Sequence, residues 1–289
     1  MRGVNAAEVL ARAVEMLKAS PNIDHWQSDR EEIEGDDLLC FALGVDELDP
    51  EREVPAAVRR RFERMVERRA EGEPVQLIKG FAVFRGLEIL ARPGVFVPRD
   101  STEFLAEQAV RRLRGRRGPI AVDLACGGGT IALAVADEVP AARVFGTDIS
   151  REAIRVARLN ASRLDLRNAA FFTGDLFGAL PARLHGSVDV ITLHPPYVAK
   201  RELGELPEEI RRFEPVHTLT DQSHDGLGLI GRAAAESGVW LKPGGWLLIE
   251  VSPDRARSVA TVMRRHGFRE VRSTMDHGFK VTRVLVGRR

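Results

Sequence analysis

Helical and strand patterns alternate from Ser101 to the carboxyl terminus, a glycine cluster bends one of these strands into a helix, and the last two strand patterns follow each other across a short link. These observations predict an α/β fold: a seven-stranded Rossmann-like sheet, largely parallel, covered on both faces and closed by an antiparallel edge pair. The patterns before Ser101 add a small amino-terminal helical domain and a β-hairpin linker. The expected boundaries are 1–73 for the helical domain, 74–98 for the linker and 99–289 for the sheet domain.

Taken in order, Val9, Leu10, Ala13, Val14 and Leu17 recur at helical spacing, as do Val58, Phe62 and Val66. Pro21, Gly35, Gly44 and Pro50 are expected to divide this region into short helices. Three β-prone pieces follow, Val75–Ile78, Phe81–Phe84 and Leu87–Leu90, separated by Gly80 and Gly86, with Gly94 beyond. Phe96-Val97-Pro98-Arg99 then precedes a helix with Asp100 or Ser101 as its expected cap and Glu103 in its first turn. The strand candidates are Ile120–Leu124, Val144–Thr147, Ala170–Thr173, Val188–Leu193, Trp246–Val251, Val271–Met275 and Lys280–Val286. Leu241-Lys242-Pro243-Gly244-Gly245 reads as a turn feeding the fifth of these.

At 289 residues the chain is long enough for two domains with a substantial core, and 44% hydrophobic against 29% charged residues is a globular balance. A net charge of +1 gives no global field that calls for nucleic acid or an anionic membrane, so no direct nucleic-acid partner is expected. The basic runs at Arg59-Arg60-Arg61 and from Arg111 to Arg117 read as a solvated helix face and a linker. Cys40 and Cys126 are too few for a disulfide framework and lack metal-ligand spacing; no metal is expected. The first 18 residues carry charges throughout and do not read as a secretory signal. No stretch has the apolar length of a membrane span, so the expected location is the cytoplasm.

The strand ending at Leu124 runs into Ala125-Cys126-Gly127-Gly128-Gly129 and then an apolar helical segment from Ile131 to Val135. Glycines at such a bend allow positive φ and close approach of a ligand to the backbone. Asp148 stands 21 residues after Gly127 at the end of the next strand, where a carboxylate can accept both hydroxyls of a ribose. Gly127-x-Gly129-x-x-Ala132 also fits the dinucleotide fingerprint, which keeps an NAD-dependent oxidoreductase open. Asp123 separates the two readings. Its charge just before the turn would repel a pyrophosphate but suits the ammonium of S-adenosylmethionine, which carries no phosphate. Asp175, after the third strand, is placed either to face the adenine or to cap that strand.

His194-Pro195-Pro196-Tyr197 ends the apolar run Val188–Leu193 and holds the only tyrosine of the chain. The two prolines lack N–H donors, so the strand must leave its sheet there, at the carboxyl end where open α/β sheets bind ligands. These residues, with the glycine turn, Asp148, Phe96-Val97-Pro98-Arg99, Glu214-Pro215 and Asp225-Gly226-Leu227, resemble the release-factor glutamine N5-methyltransferases over nearly the whole chain. The resemblance implies S-adenosylmethionine as methyl donor. It implies as acceptor the glutamine of a Gly-Gly-Gln motif in a class I peptide release factor, which would be the protein partner. It further implies cofactor contacts from Arg99, Asp123, Ala125, Cys126, Gly127, Gly128, Gly129, Asp148, Ile149, Asp175, Leu176 and His194, and an acceptor site at His194, Pro195, Pro196 and Tyr197.

There are departures from the family pattern. Ala125 replaces a glycine, a mild change if this position needs no positive φ, and Asp100 stands where the family has proline. His194 replaces asparagine, which matters more. A carboxamide nitrogen is a weak nucleophile whose hydrogens must be accepted while it is held in line with the methyl group. Asparagine accepts one hydrogen through its side-chain oxygen and the Pro195 carbonyl the other, with Tyr197 packed on the amide plane. Neutral histidine has one acceptor nitrogen and protonated histidine has none. Three readings of His194 stand open: an acceptor or base for the same substrate, the mark of a different acceptor such as a small molecule or another protein side chain, or lost catalysis in a chain that only binds the cofactor. The first predicts that activity falls as the imidazole protonates, near its ordinary value of about 6.5 or displaced from it. His217 and His224 flank a polar loop and read as surface or lid residues. Oligomeric state has no signature in the sequence.

Overall fold

Amphipathic and apolar segments of this chain assemble as two units in the computed structural model, which describes residues 4–25, 28–278 and 280–289. In chain order the elements are α1 (Ala6–Lys18), α2 (Arg30–Leu43), α3 (Ala56–Ala70), α4 (Val75–Lys79), β1 (Phe81–Phe84), β2 (Leu87–Leu90), α5 (Glu103–Leu113), β3 (Ile120–Leu124), α6 (Thr130–Glu138), β4 (Arg143–Asp148), α7 (Arg151–Arg163) and β5 (Ala169–Thr173). They continue with β6 (Val188–Leu193), α8 (Glu208–Phe213), α9 (Val216–Leu219), α10 (Gly228–Trp240), β7 (Leu241–Glu250), α11 (Ala256–Arg265), β8 (Arg269–Asp276) and β9 (Val281–Arg288).

One unit comprises Met1–Phe81 with Glu205–Glu214. Its core joins Val9, Ala13 and Leu17 of α1, Leu38 and Leu39 of α2, and Phe62 and Val66 of α3. Gly35 departs from its expected role as a break. It lies inside α2, where a Cβ would come within 2.9 Å of Leu10 Cδ1, so its missing side chain lets α1 and α2 pack closely. Val75–Ile78 is likewise not a strand. Pro74 opens a helical turn and left-handed Gly80 closes it, its N–H donating to the Gln76 carbonyl at 2.9 Å. The segment 205–214 joins this unit through charge. Fully buried Arg69 donates to Glu34 at 2.7 Å and to Glu209 at 2.8 Å, and Arg30 donates to Glu209 at 2.8 Å. Burial pushes the Glu209 carboxyl up, but its bonds to Arg30 and Arg69 outweigh that and hold it below the usual range.

The second unit, Ala82–Gly204 with Pro215–Arg289, contains the sheet. Its strand order is β5-β4-β3-β6-β7-β9-β8, with β3 to β7 parallel and β9 antiparallel to both β7 and β8. The expected closing pair is present, with β9 inserted between β7 and the edge strand β8. Alternate residues face two cores. Ala121, Val144, Val190 and Leu248 meet α5, α6 and α7 on one face, while Val122, Leu124, Ile191 and Ile249 meet α10 and α11 on the other. β7 begins earlier than expected. Between the pairs Val188↔Leu241 and Val190↔Trp246 it bulges, with Gly244 at φ +77°, so the expected turn is part of the strand.

β1 and β2 form the expected two-stranded hairpin, closed by Arg85 and Gly86, both at positive φ. The start of α5 differs from expectation. A 3-10 turn over Asp100–Thr102 precedes it, and neither Arg99 nor Thr102, at the two cap positions, makes a side-chain capping bond. Glu103 instead accepts from the backbone N–H of Arg85 at 2.6 Å, because the hairpin turn brings that donor within reach.

Replacing Glu209 with alanine leaves a buried guanidinium short of one carboxylate. The expected loss is about 3 kcal/mol of stability, read as an earlier urea transition of the full chain by circular dichroism. An unchanged transition would mean that Glu34 alone satisfies Arg69.

Candidate active site

β3 connects onward to β4 on one side of the sheet, while its other neighbour is β6, which makes the gap between β3 and β6 the topological switch point. Leu124 pairs with Leu193, so both strands end together: Ala125 opens the glycine turn as His194 opens the Pro-Pro-Tyr segment. In the same register Leu124 pairs with Thr147, Asp148 with Thr173, and Leu193 with Ile249. The carboxyl ends of β5, β4, β3, β6 and β7 therefore lie side by side.

One step below this edge, Asp123 and Thr192 face each other, and the Thr192 hydroxyl donates to Asp123 Oδ1 at 2.8 Å. Asp123 is 1% exposed, and its Oδ2 is buried with no hydrogen-bond partner. Burial pushes its carboxyl up to about 7, against the pull of the Thr192 bond. An orphaned buried oxygen of this kind fits a cationic ligand group, and it is the wrong chemistry for a phosphate.

The turn above it is held open by backbone geometry. Ala125 adopts φ +51°, Gly127 +53° and Gly129 +85°. Ala125 therefore does occupy the left-handed region, contrary to expectation, at a cost of about 1 kcal/mol. Gly129 is required for space as well: a Cβ there would come within 3.0 Å of the Phe171 ring and 3.1 Å of Ala157. The Cβ direction of Gly127, by contrast, meets nothing within 4 Å. Cys126 is buried beneath the turn, and burial first, then the charges of Asp123 and Asp148, push its thiol well up; it is a packing group. Gly128 donates no side chain but offers its carbonyl to Asn160 Nδ2 at 3.0 Å.

Asp148 holds the turn from the side, accepting from Gly127 N–H at 2.9 Å and Ser150 N–H at 2.8 Å. Its carboxyl is raised by burial, while these two bonds oppose the rise. Ile149 beside it is a large apolar side chain left 68% exposed. Asp175 points to the surface, where Arg232 pairs with it at 2.6 Å, and Leu176 is buried at φ +46°.

Around the Pro-Pro-Tyr segment, the Phe96 ring stands edge-on to the His194 ring at 5.4 Å, and Tyr197 lies tilted at 6.1 Å. Arg99 places its guanidinium 5.4 Å from the Phe96 centroid. Pro195 is buried and Pro196 partly so. Burial, followed by the charge of Glu250, pushes the Tyr197 phenol up, so it stays protonated. Tyr197 bridges to Thr220, and Val198 donates to the Leu219 carbonyl at 2.9 Å. Gly226, at φ +71°, lies so close that a Cβ would fall 2.1 Å from the Tyr197 carbonyl oxygen. That contact explains Asp225-Gly226-Leu227: only glycine lets this loop lie against the segment. His217 and His224 are exposed, and among the described residues no cluster of metal-binding side chains occurs.

Three residues at this site escape sequence reasoning. Thr192 is a polar interruption of an apolar strand. Asn160, fully buried on α7, accepts from Leu90 N–H at 2.9 Å while donating to Gly128, and so clamps the glycine turn to the hairpin. Its only sequence signal is an amide on the core-facing side of a helix, beside Val156 and Ala157. Thr102, 4% exposed, places its hydroxyl 3.4 Å from His194 Nδ1.

Residues 8–80 match the family described as PrmC N-terminal domain, and residues 117–225 match a methyltransferase domain. The release factor glutamine methyltransferase of Burkholderia pseudomallei is 36% identical over 92% of both chains. The protein of the same name from Bordetella pertussis is 39% identical over 74% of this chain and 78% of its own. A methyltransferase structure from Pyrococcus furiosus, 19% identical, superposes with a TM-score of 0.52 over 70% of this chain and 89% of its own, a likeness of fold. With a relative this similar along nearly its whole length, the chain belongs to the release factor glutamine methyltransferase family.

Proposed function

We propose that this protein is an S-adenosylmethionine-dependent methyltransferase that modifies the side-chain nitrogen of a glutamine, that of the Gly-Gly-Gln motif in a class I peptide chain release factor. The observation that carries the reading is the paired ending of β3 and β6, which sets His194-Pro195-Pro196-Tyr197 beside the glycine turn and the orphaned Asp123 oxygen. Family membership names the acceptor class.

The residues present fit the cofactor. Asp123 offers a buried negative oxygen to the ammonium, and the backbone from Ala125 to Gly129, with open space at Gly127, receives the methionine side. Asp148 keeps acceptor capacity for ribose hydroxyls beyond its two backbone bonds. Exposed Ile149 and buried Leu176 would border the adenine, with Asp175 at the rim and Arg99 at the opening. When bound, the cofactor would supply an electrophilic sulfonium methyl group and leave as a neutral thioether, while the amide nitrogen gives up one of its two hydrogens as a proton.

The chain's own contribution is orientation. The Pro195 carbonyl accepts one amide hydrogen and neutral His194 the other, while Tyr197 packs on the amide plane, so the nitrogen presents its lone pair along one line. A changed acceptor is the second reading, favoured by one observation: histidine in place of the family's asparagine.

Label from isotopically marked S-adenosylmethionine is expected on the Gly-Gly-Gln glutamine of a purified class I release factor. His194→Ala should lower kcat about 100-fold. A native enzyme that transfers nothing while His194→Asn does would establish the changed acceptor. Cofactor affinity, measured by calorimetry, should rise about tenfold between pH 6 and 8, because ionised Asp123 binds the ammonium and its carboxyl titrates near 7. Asp123→Asn should weaken binding and flatten that rise.

A further inference from the structure

An imidazole can replace a carboxamide oxygen as acceptor only if the nitrogen facing the substrate carries no proton. Neutral imidazole has one N–H and one bare nitrogen, and which is which follows from the partner of the nitrogen turned away from the substrate. In this protein that partner is visible. Thr102 Oγ1 lies 3.4 Å from His194 Nδ1, at the end of the 3-10 turn that leads into α5. Thr102 is 4% exposed, and the edge-on Phe96 ring at 5.4 Å restricts rotation of the imidazole away from it.

We infer that Thr102 is a positioning residue which accepts a hydrogen bond from Nδ1–H of His194 and so leaves Nε2 bare to accept the N–H of the acceptor amide. The inference rests on the proposed reading of His194 as acceptor and deepens it. A threonine hydroxyl can take this role because it accepts through a lone pair, whereas valine, of nearly the same shape, cannot. The arrangement is specific to a chain with histidine at position 194, since an asparagine oxygen accepts without any choice of tautomer.

The test is nitrogen-15 NMR of the full chain with labelled histidine, with the His194 signals assigned by their loss in His194→Asn. At a pH where the ring is neutral, the native protein is expected to show a protonated Nδ1 and a bare Nε2. A protonated Nε2 in the native protein overturns the inference without recourse to any variant. Thr102→Val should move the signals toward the Nε2–H form and lower kcat about tenfold, with KM for S-adenosylmethionine unchanged, since the loss is one hydrogen bond at the acceptor. Thr102→Ser, which restores the hydroxyl, should recover most of that loss. If Thr102→Val leaves both tautomer and kcat as they were, Thr102 only packs. Absence of methyl transfer by the native enzyme would instead defeat the proposed function, while the tautomer measurement still decides the role of Thr102.

Discussion

Asp123 on β3 and Thr192 on β6 share a buried 2.8 Å hydrogen bond across a parallel register that ends one residue later, at Leu124 and Leu193. Every other part of the site depends on that alignment. A shift of one residue would turn Asp123 to the opposite face of the sheet and separate the glycine turn from the Pro-Pro-Tyr segment. The bond occupies one carboxylate oxygen and leaves the other buried without a partner. A buried oxygen without a partner is destabilising on its own account, and a cationic ligand group is the natural remedy.

The glycine turn is held in a strained form by two buried or partly buried polar side chains. Ala125 takes a left-handed conformation at some cost, Asp148 receives the Gly127 N–H, and Asn160 receives Leu90 N–H while donating to the Gly128 carbonyl. Strain of this kind persists only where surroundings over-determine it. Phe171 completes the enclosure by packing where Gly146 and Gly129 lack side chains. The turn thus presents a preformed cradle, and a ligand that settles on it need not order it.

Between β6 and α10 the chain leaves the sheet unit at Gly204 and returns at Pro215. The excursion is anchored among the helices by Glu209, gripped by Arg30 and Arg69. On its return the chain lies along the Pro-Pro-Tyr segment, through Tyr197 with Thr220, Lys200 with the Ser223 carbonyl, and Gly226 against the Tyr197 backbone. The family's Glu-Pro and Asp-Gly-Leu signatures fall in this return. Glu214 is buried at its start, and Gly226 fills a position that admits no Cβ.

Local periodicity was enough to read the seven strands, the hairpin and the helices of the amino-terminal region, because apolar spacing of 2 or 3.6 residues is written in short windows. It also marked Asp123, Asp148, the glycines and His194, since turn chemistry and charge at strand ends are local too. Short segments were misread where tertiary packing outweighs propensity: Gly35 accommodates a neighbouring helix, Val75–Ile78 coils between Pro74 and Gly80, and Leu241–Gly245 bulges within a strand. Thr102 and Glu209 carried no readable signal and Asn160 only an amide on a core-facing helix side, because each gains its role from a partner 70 to 179 residues away. The sequence by itself determined the fold class and the chemical groups at the strand ends. Only the tertiary structure decided strand register, the strain at Ala125 and the hydroxyl beside His194, because those depend on long-range pairing that no local pattern encodes.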